Sequence, residues 1–249
     1  MLKLKVGNGS LVLVLGNSAY KVFRGPGAEA SVASEKWGYL AASGCPVWGS
    51  HVVPTRFSFS RIATSAAGET TDGIEYARLA EFVEERVLAA LAGRTLRCAT
   101  EVVPMGALQT VLRGSSVQID LVFQLLQNID LPSGPTHGDL HRGNMICVNG
   151  AIRVIDLNRF RVNGCPLFDL LHFNLSEAQR GTGRPWLEYL CAHPHLAQTA
   201  AMELTNSNAL LFCYAMQRIA HEGLSALNGG RPLQKYFWQA ESAIAHFWQ

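Results

Sequence analysis

The first stretch of the chain alternates in character. Leu2, Leu4 and Val6 are separated by Lys3 and Lys5, a period of two that predicts a strand with one apolar face. Gly7-Asn8-Gly9-Ser10 reads as a turn, residues 11–15 as an apolar strand, Gly16-Asn17-Ser18 as a second turn and residues 19–23 as a third strand. The expectation is a three-stranded antiparallel meander. A helix is expected from just after Pro26 to about Ser43, closed by Gly44. Strand-like patterns return over residues 51–53 and 57–62, and residues 65–71, mostly small and polar, read as a connector.

Beyond the connector the period changes from 2 to 3.6. Asp72 with Glu75 resembles a capping box, and Tyr76, Leu79, Ala80, Val83, Val87 and Leu91 then form one apolar stripe. Ser115 with Gln118 opens another helix, with Ile119, Val122, Phe123 and Leu126 on one face. From residue 170 onward the pattern is mostly helical, over about 186–191, 199–227 and 234–248. No internal repeat interrupts this order. The layout is an α+β chain with a small β-rich N-terminal lobe over residues 1–67 and a larger helical C-terminal lobe over 68–249.

The chemistry concentrates in Thr136-His137-Gly138-Asp139-Leu140-His141-Arg142-Gly143-Asn144 and the residues that follow to Phe160. Asn149-Gly150 is a two-residue hairpin signal between two apolar strands. Taking it as the loop pairs Val148 with Ala151 and Cys147 with Ile152, and brings Asn144 opposite Ile155, one step from Asp156. The hairpin therefore delivers Asn144 and Asp156 to the same open end. Strict pleat alternation would send them to opposite faces, so one strand must end or bend there. Two neighbouring oxygen ligands suit Mg²⁺, a hard cation held by few side chains plus substrate phosphates. Asp139, on the preceding loop, is placed to accept a proton from an attacking hydroxyl. Asp139, Asn144 and Asp156 thus form a phosphoryl-transfer set of one base and two metal ligands.

The string His137-Gly138-Asp139-x-x-x-x-Asn144, followed twelve residues later by Asp156, resembles the catalytic core of the aminoglycoside phosphotransferase and choline kinase branch of the protein-kinase-like superfamily. The resemblance covers residues 1 to about 175 and implies a bilobal, kinase-like fold using ATP and Mg²⁺. It implies a lysine on the third strand for the α- and β-phosphates, which is Lys21, and a glutamate on the next helix to hold it. Glu35 is preferred there over Glu29. The turn over residues 7–10 would cover the phosphates, with Ser10 a candidate contact. His141 would either touch the γ-phosphate or shape the loop, and His137 would hold the loop backbone. Asp169 matches an aspartate that buttresses the catalytic loop, and Asn158 and Arg159 are candidates to face the substrate. Two departures separate the chain from protein kinases. Gly138 stands where many of them carry an arginine, and only thirteen positions separate Asp156 from Asp169, too few for a long activation segment.

Composition narrows the partners. At about 150 residues per domain, 249 residues allow one large domain or two small lobes. Charged residues are 16% and the net charge is +2, which argues against both a disordered chain and a nucleic-acid binder. No apolar run approaches the ~18 residues of a membrane span, and the apolar stretch over 11–15 is too short for a signal peptide. The six cysteines lack any C-x-x-C pair, as expected of reduced thiols in a cytoplasmic protein. Beyond residue 170, five acids are matched by five bases, whereas a polycationic aminoglycoside calls for an acidic pocket. Ten of the chain's 22 aromatics lie in the same region, and some can stack on a sugar face. The expected activity is transfer of the ATP γ-phosphoryl group to a hydroxyl of a small molecule, a saccharide or glycan. A protein Ser/Thr kinase of the same fold is the alternative. A dinuclear hydrolase built on His137, Asp139 and His141 with His193 and His195, or a non-catalytic nucleotide-binding scaffold, ranks below it. Oligomeric state is not encoded in any feature of the sequence.

Overall fold

The computed structural model describes residues 2–7, 10–25, 27–58, 61–180, 182–193 and 206–248. In chain order the strands and helices are β1 (Leu2–Gly7), β2 (Ser10–Leu15), β3 (Ser18–Phe23), α1 (Ala28–Ser43), β4 (Thr55–Ser58), β5 (Ile62–Ala66), β6 (Glu69–Thr70) and α2 (Tyr76–Ala92). There follow β7 (Thr95–Cys98), α3 (Ala99–Val102), α4 (Met105–Leu112), α5 (Ile119–Gln127), β8 (Asp130–Thr136), β9 (Met145–Val148), β10 (Ala151–Val154) and β11 (Arg161–Gly164). The chain ends with α6 (Pro166–Gln179), α7 (Trp186–Ala192), α8 (Ser207–Asn228) and α9 (Gln234–Phe247). Two compact units result, one of residues 1–90 with 135–164, the other of 91–134 with 165–249.

The first unit is built on a five-stranded antiparallel sheet of order β1-β2-β3-β5-β4. The meander read from the period-two pattern is there, and β3 lies inside the sheet, with Lys21 opposite Val12 on one side and Ala63 on the other. Helix α1 begins at Ala28, after Gly27 in the left-handed region (φ 82°). Its buried positions are Ala28, Val32, Glu35, Gly38 and Ala42, spacings of three and four that define one face. Ala28 and Val32 of that face join Phe23 and Ala63 in a small core. Glu35 is the one charged member of the face, and a charge in such a place needs a partner. Next to it Gly38 seats the helix against the 3-10 turn Leu157–Arg159: a Cβ there would fall inside the Leu157 carbonyl.

The same unit holds the β9–β10 hairpin, whose register pairs Val148 with Ala151 and Met145 with Val154, as Asn149-Gly150 dictates. Four expectations differ. Residues 57–62 are not one strand, since β4 ends at Ser58 and β5 begins at Ile62. Residues 51–53 are not a strand: Gly49–His51 is a 3-10 turn, and Val52 makes a single parallel bridge to Val154. The connector over 65–71 is partly sheet, because β5 runs to Ala66 and Glu69–Thr70 adds a third strand to the hairpin by pairing with Cys147 and Ile146. A small polar composition hid this, since cross-strand hydrogen bonds need no particular side chain. Finally, Asp72 lies in a 3-10 turn, Thr71–Gly73, and α2 starts only at Tyr76, which is exposed while Leu79, Val83 and Val87 are buried.

In the second unit β7 pairs antiparallel with β8, and the remaining elements are helices. Helix α8 starts where Asn206 accepts hydrogen bonds from the backbone N–H groups of Asn208 and Ala209, a side-chain N-cap. The first residues of the helix expected over 199–227 lie outside the described residues. Helix α4 approaches α8 at Gly223, where a Cβ would press into Val111. Phe123 points outward from α5 and Leu125 takes the buried position in its place. All six cysteines are free, and burial pushes the Cys165 thiol up to about 12, so it behaves as an inert apolar side chain. Among the described residues no helix is long and apolar enough to cross a membrane.

Candidate active site

Lys21 projects from β3 toward α1, and its ammonium lies 2.6 Å from Glu35 Oε2 and 2.9 Å from Asp156 Oδ1. Burial alone would lower the lysine, but the carboxylates of Asp156 and Glu35 outweigh it and hold the ammonium above its ordinary value. Burial raises the Glu35 carboxyl, and Lys21 opposes that rise. Glu35 is the lysine's partner. Glu29, the other candidate, faces Arg61 at 3.9 Å on the exposed side of the helix.

The open end of the hairpin solves the pleat problem. β10 ends at Val154, and Asp156 adopts left-handed backbone angles (φ 63°, ψ 57°). A non-glycine residue holds that conformation at a cost of about 1–2 kcal/mol, and here it turns the carboxylate off the strand's alternation. On the other side, Arg142–Asn144 is a 3-10 turn rather than strand, and Ile155 N donates to Asn144 O at 3.0 Å. The Asn144 side chain donates from Nδ2 to the Asp139 carbonyl at 2.9 Å, which leaves its amide oxygen as the end available to a cation. The Asp139 carboxylate is itself paired: Arg159 Nη1 lies 3.2 Å from its Oδ1.

The loop that carries Asp139 is tied down from several directions. His137 is fully buried, and its Nε2 donates to the Ile155 carbonyl at 2.9 Å, which binds the loop to the strand leading into Asp156. Burial lowers the His137 imidazole below its ordinary value, so the ring stays neutral. Gly138 has φ +82°, and a Cβ on it would collide with the Arg159 carbonyl. The glycine that stands where many protein kinases carry arginine is thus required by backbone approach. His141 accepts the Gly143 N–H on Nδ1 and caps the 3-10 turn. Arg142 donates to the carbonyls of Thr71 and Ile74, and Thr71 Oγ1 returns a bond to the Arg142 carbonyl at 3.0 Å.

Ser10 opens β2, half-buried, in register with Phe23. The tip of its turn, residues 8 and 9, lies outside the described residues. Asp169 is buried in the first turn of α6, in the second unit. His193 stacks on Tyr189 at 4.1 Å, and His195 lies outside the described residues. Among the described residues no three His, Cys, Asp or Glu side chains are placed to hold a metal ion together. The donors at the hairpin end, one carboxylate and one amide oxygen, fit Mg²⁺ shared with phosphates and do not form a zinc cage. Two contacts escaped the sequence reading: the grip of Arg159 on Asp139, and the seat of α1 on residues 157–159 through Gly38 and Ser34, whose Oγ donates to Asn158 O at 2.9 Å. An isolated glycine inside a helical pattern was the available signal for the second.

Lysine on an inner strand of an antiparallel sheet, glutamate on the following helix, and a loop-and-hairpin carrying Asp139, Asn144 and Asp156 define a protein-kinase-like fold. Solved structures agree over the length of the chain. A choline kinase from Streptococcus pneumoniae superposes with a TM-score of 0.59 at 15% identity, covering 99% of this chain and 93% of that one. A choline/ethanolamine kinase family protein from Mesorhizobium loti gives 0.58 at 13% identity, covering 100% and 88%. A thermostable mutant of aminoglycoside phosphotransferase APH(4)-Ia, in ternary complex with ADP and hygromycin B, gives 0.53 at 13% identity, covering 99% and 92%. No family model and no curated protein sequence matches the chain.

Proposed function

We propose that the chain is an ATP-dependent phosphotransferase that moves the γ-phosphoryl group to a hydroxyl of a small molecule. The observation that carries this reading is the convergence of Lys21, Glu35 and Asp156 within 2.9 Å, at the hairpin end that also bears Asn144 and the Asp139 loop. Lys21, held by Glu35, is the cation for the α- and β-phosphates. Asn144 and Asp156 are the ligands for Mg²⁺, which when bound neutralises phosphate charge. Asp139 orients the acceptor hydroxyl and takes its proton. His141 shapes the loop through Gly143, and Ser10 stands beside the turn assigned to the phosphates.

The short path from Asp156 to α6 supports a small-molecule acceptor. Residues 157–159 form the 3-10 turn, β11 follows, and α6 begins at Pro166, with no segment long enough to dock a peptide. The solved neighbours act on acceptors of different chemistry, so the fold alone does not choose among them. The balance of five acids and five bases beyond residue 170 favours a neutral acceptor, and we assign a saccharide or glycan hydroxyl. A nucleotide-binding lobe over 1–67, an acceptor-binding lobe over 68–249 and a cytoplasmic setting belong to the same proposal.

The test combines labelled ATP with a library of sugars, glycans, amino alcohols, aminoglycosides and peptides. Transfer to a sugar hydroxyl is the expected result, and an Asp139→Asn protein should bind Mg·ADP normally while losing transfer. Turnover of aminoglycosides or peptide serines in place of sugars would refute the acceptor assignment. An Asp139→Asn protein with full transfer would refute the role of the base.

A further inference from the structure

We propose that Arg159 is a positioning residue for the candidate base: its guanidinium holds the Asp139 carboxylate, and the turn that carries it sets the base relative to Asp156. The kinetic consequences rest on the phosphotransferase reading; the geometry does not.

Arg159 Nη1 lies 3.2 Å from Asp139 Oδ1, with the two side chains 29% and 24% exposed. An ion pair of that kind at a free surface contributes little. This one differs because its backbone is clamped on both sides. The Arg159 carbonyl abuts the Cα of Gly138, so the turn and the catalytic loop touch without room for a methyl group. One residue earlier, Asn158 O accepts the Ser34 hydroxyl, and one residue before that the Leu157 carbonyl fills the space where Gly38 lacks a Cβ. The turn Leu157–Arg159 is therefore fitted between the helix that carries Glu35 and the loop that carries Asp139. Asp156 is the residue that opens it.

A guanidinium delivered from so restrained a backbone restricts where the Asp139 carboxylate can go. The backbone of Asp139 is restrained independently, since its carbonyl accepts from Asn144 Nδ2. The base is thus located from behind by a metal-ligand candidate and from the side by Arg159. A planar fork suits this better than a point charge, because it fixes direction as well as distance. The Asp139 loop and the Glu35 helix thus both contact the turn that Asp156 opens.

The experiment compares the native chain with Arg159→Gln, Arg159→Lys and Arg159→Ala. In ligand-free crystal structures the Asp139 carboxylate should leave its native rotamer in Arg159→Gln. In kinetics, kcat should fall roughly ten- to hundredfold, the range expected of a base displaced by up to about 1 Å. KM for ATP should stay near the native value, Arg159→Lys should fall between, and added guanidinium ion should restore part of the Arg159→Ala rate. Arg61→Ala, which removes only an exposed pair at 3.9 Å, should behave as native. An unmoved Asp139 in Arg159→Gln overturns the proposal, and so does a raised KM for ATP with kcat intact. A native chain that neither binds Mg·ADP nor transfers phosphate would sink the proposed function instead, while the crystal comparison would still decide the role of Arg159.

Discussion

Lys21 pairs with two carboxylates, Glu35 and Asp156. Replacing it with methionine removes the one cation between Glu35 and Asp156 and leaves two carboxylates facing each other. A charge-assisted hydrogen bond is worth about 1.5–3 kcal/mol. Lys21→Met should therefore weaken Mg·ADP binding by roughly ten- to hundredfold, measured by calorimetry. The buried His137 and the half-buried His51 set a pH dependence of stability. Burial lowers His137, and burial with the nearby Arg86 and Arg153 lowers His51, each from an ordinary 6.5. His51 Nε2 faces Arg86 Nη1 at 2.9 Å and can accept that bond only when unprotonated. In the unfolded chain both rings take up protons near 6.5 that the folded state resists. Their stabilising contribution is thus complete above about 6.5 and is lost as pH falls toward the lowered folded values. Thermal melts should lose stability on acidification below 6.5, and His137→Gln should flatten that slope. A native slope unchanged in the variant would contradict the assignment. At this scale the hairpin rule located Asn144 beside the residues leading into Asp156, where Ile155 N donates to Asn144 O. Arg159 was read as a residue to face the substrate, and its pairing with Asp139 has no spacing signature because the fold brings the two together.

Helix α1 makes contacts with the candidate site. Its face carries Glu35 to the lysine and Gly38 to the Leu157 carbonyl, one turn apart. Helix propensity favours Gly38→Ala by up to about 1 kcal/mol. Overpacking against a backbone atom costs about 1–3 kcal/mol, and a carbonyl cannot move aside as a side-chain tip can. The variant should melt below the native chain and use Mg·ATP less well. A higher melting temperature would show that the contact is slack. The hairpin β9–β10 was legible to the residue because Asn149-Gly150 demands positive φ, and Asn149 and Gly150 show 52° and 78°. β6 was not legible, since two polar residues joining a sheet edge have no pattern of their own.

At the scale of the molecule, the first unit is discontinuous in sequence. Residues 1–90 close only when 135–164 return to them. Val52 bridges Val154, Thr70 pairs with Ile146, and the buried Trp48 donates to Pro135 O at 3.2 Å. A fragment ending at residue 90 should therefore lack cooperative unfolding, as followed by circular dichroism and amide exchange; a well-folded fragment would contradict it. Sequence alone was enough for the alternating strands, the helical period, the hairpin register and the order in which Asp139, Asn144 and Asp156 follow one another. These follow from local rules: turn chemistry, side-chain periodicity and fixed spacing act over a few residues and need no distant partner. Only the tertiary structure decided which glutamate meets Lys21, how Asp156 escapes the pleat, and why Gly38 and Gly138 are glycines. The choice of glutamate and the two glycines depend on the approach of segments from 14 to more than 100 residues apart, as Lys21 to Glu35 and Ser34 to Asn158 illustrate. Such approaches are set by packing, which leaves no periodic trace in the chain.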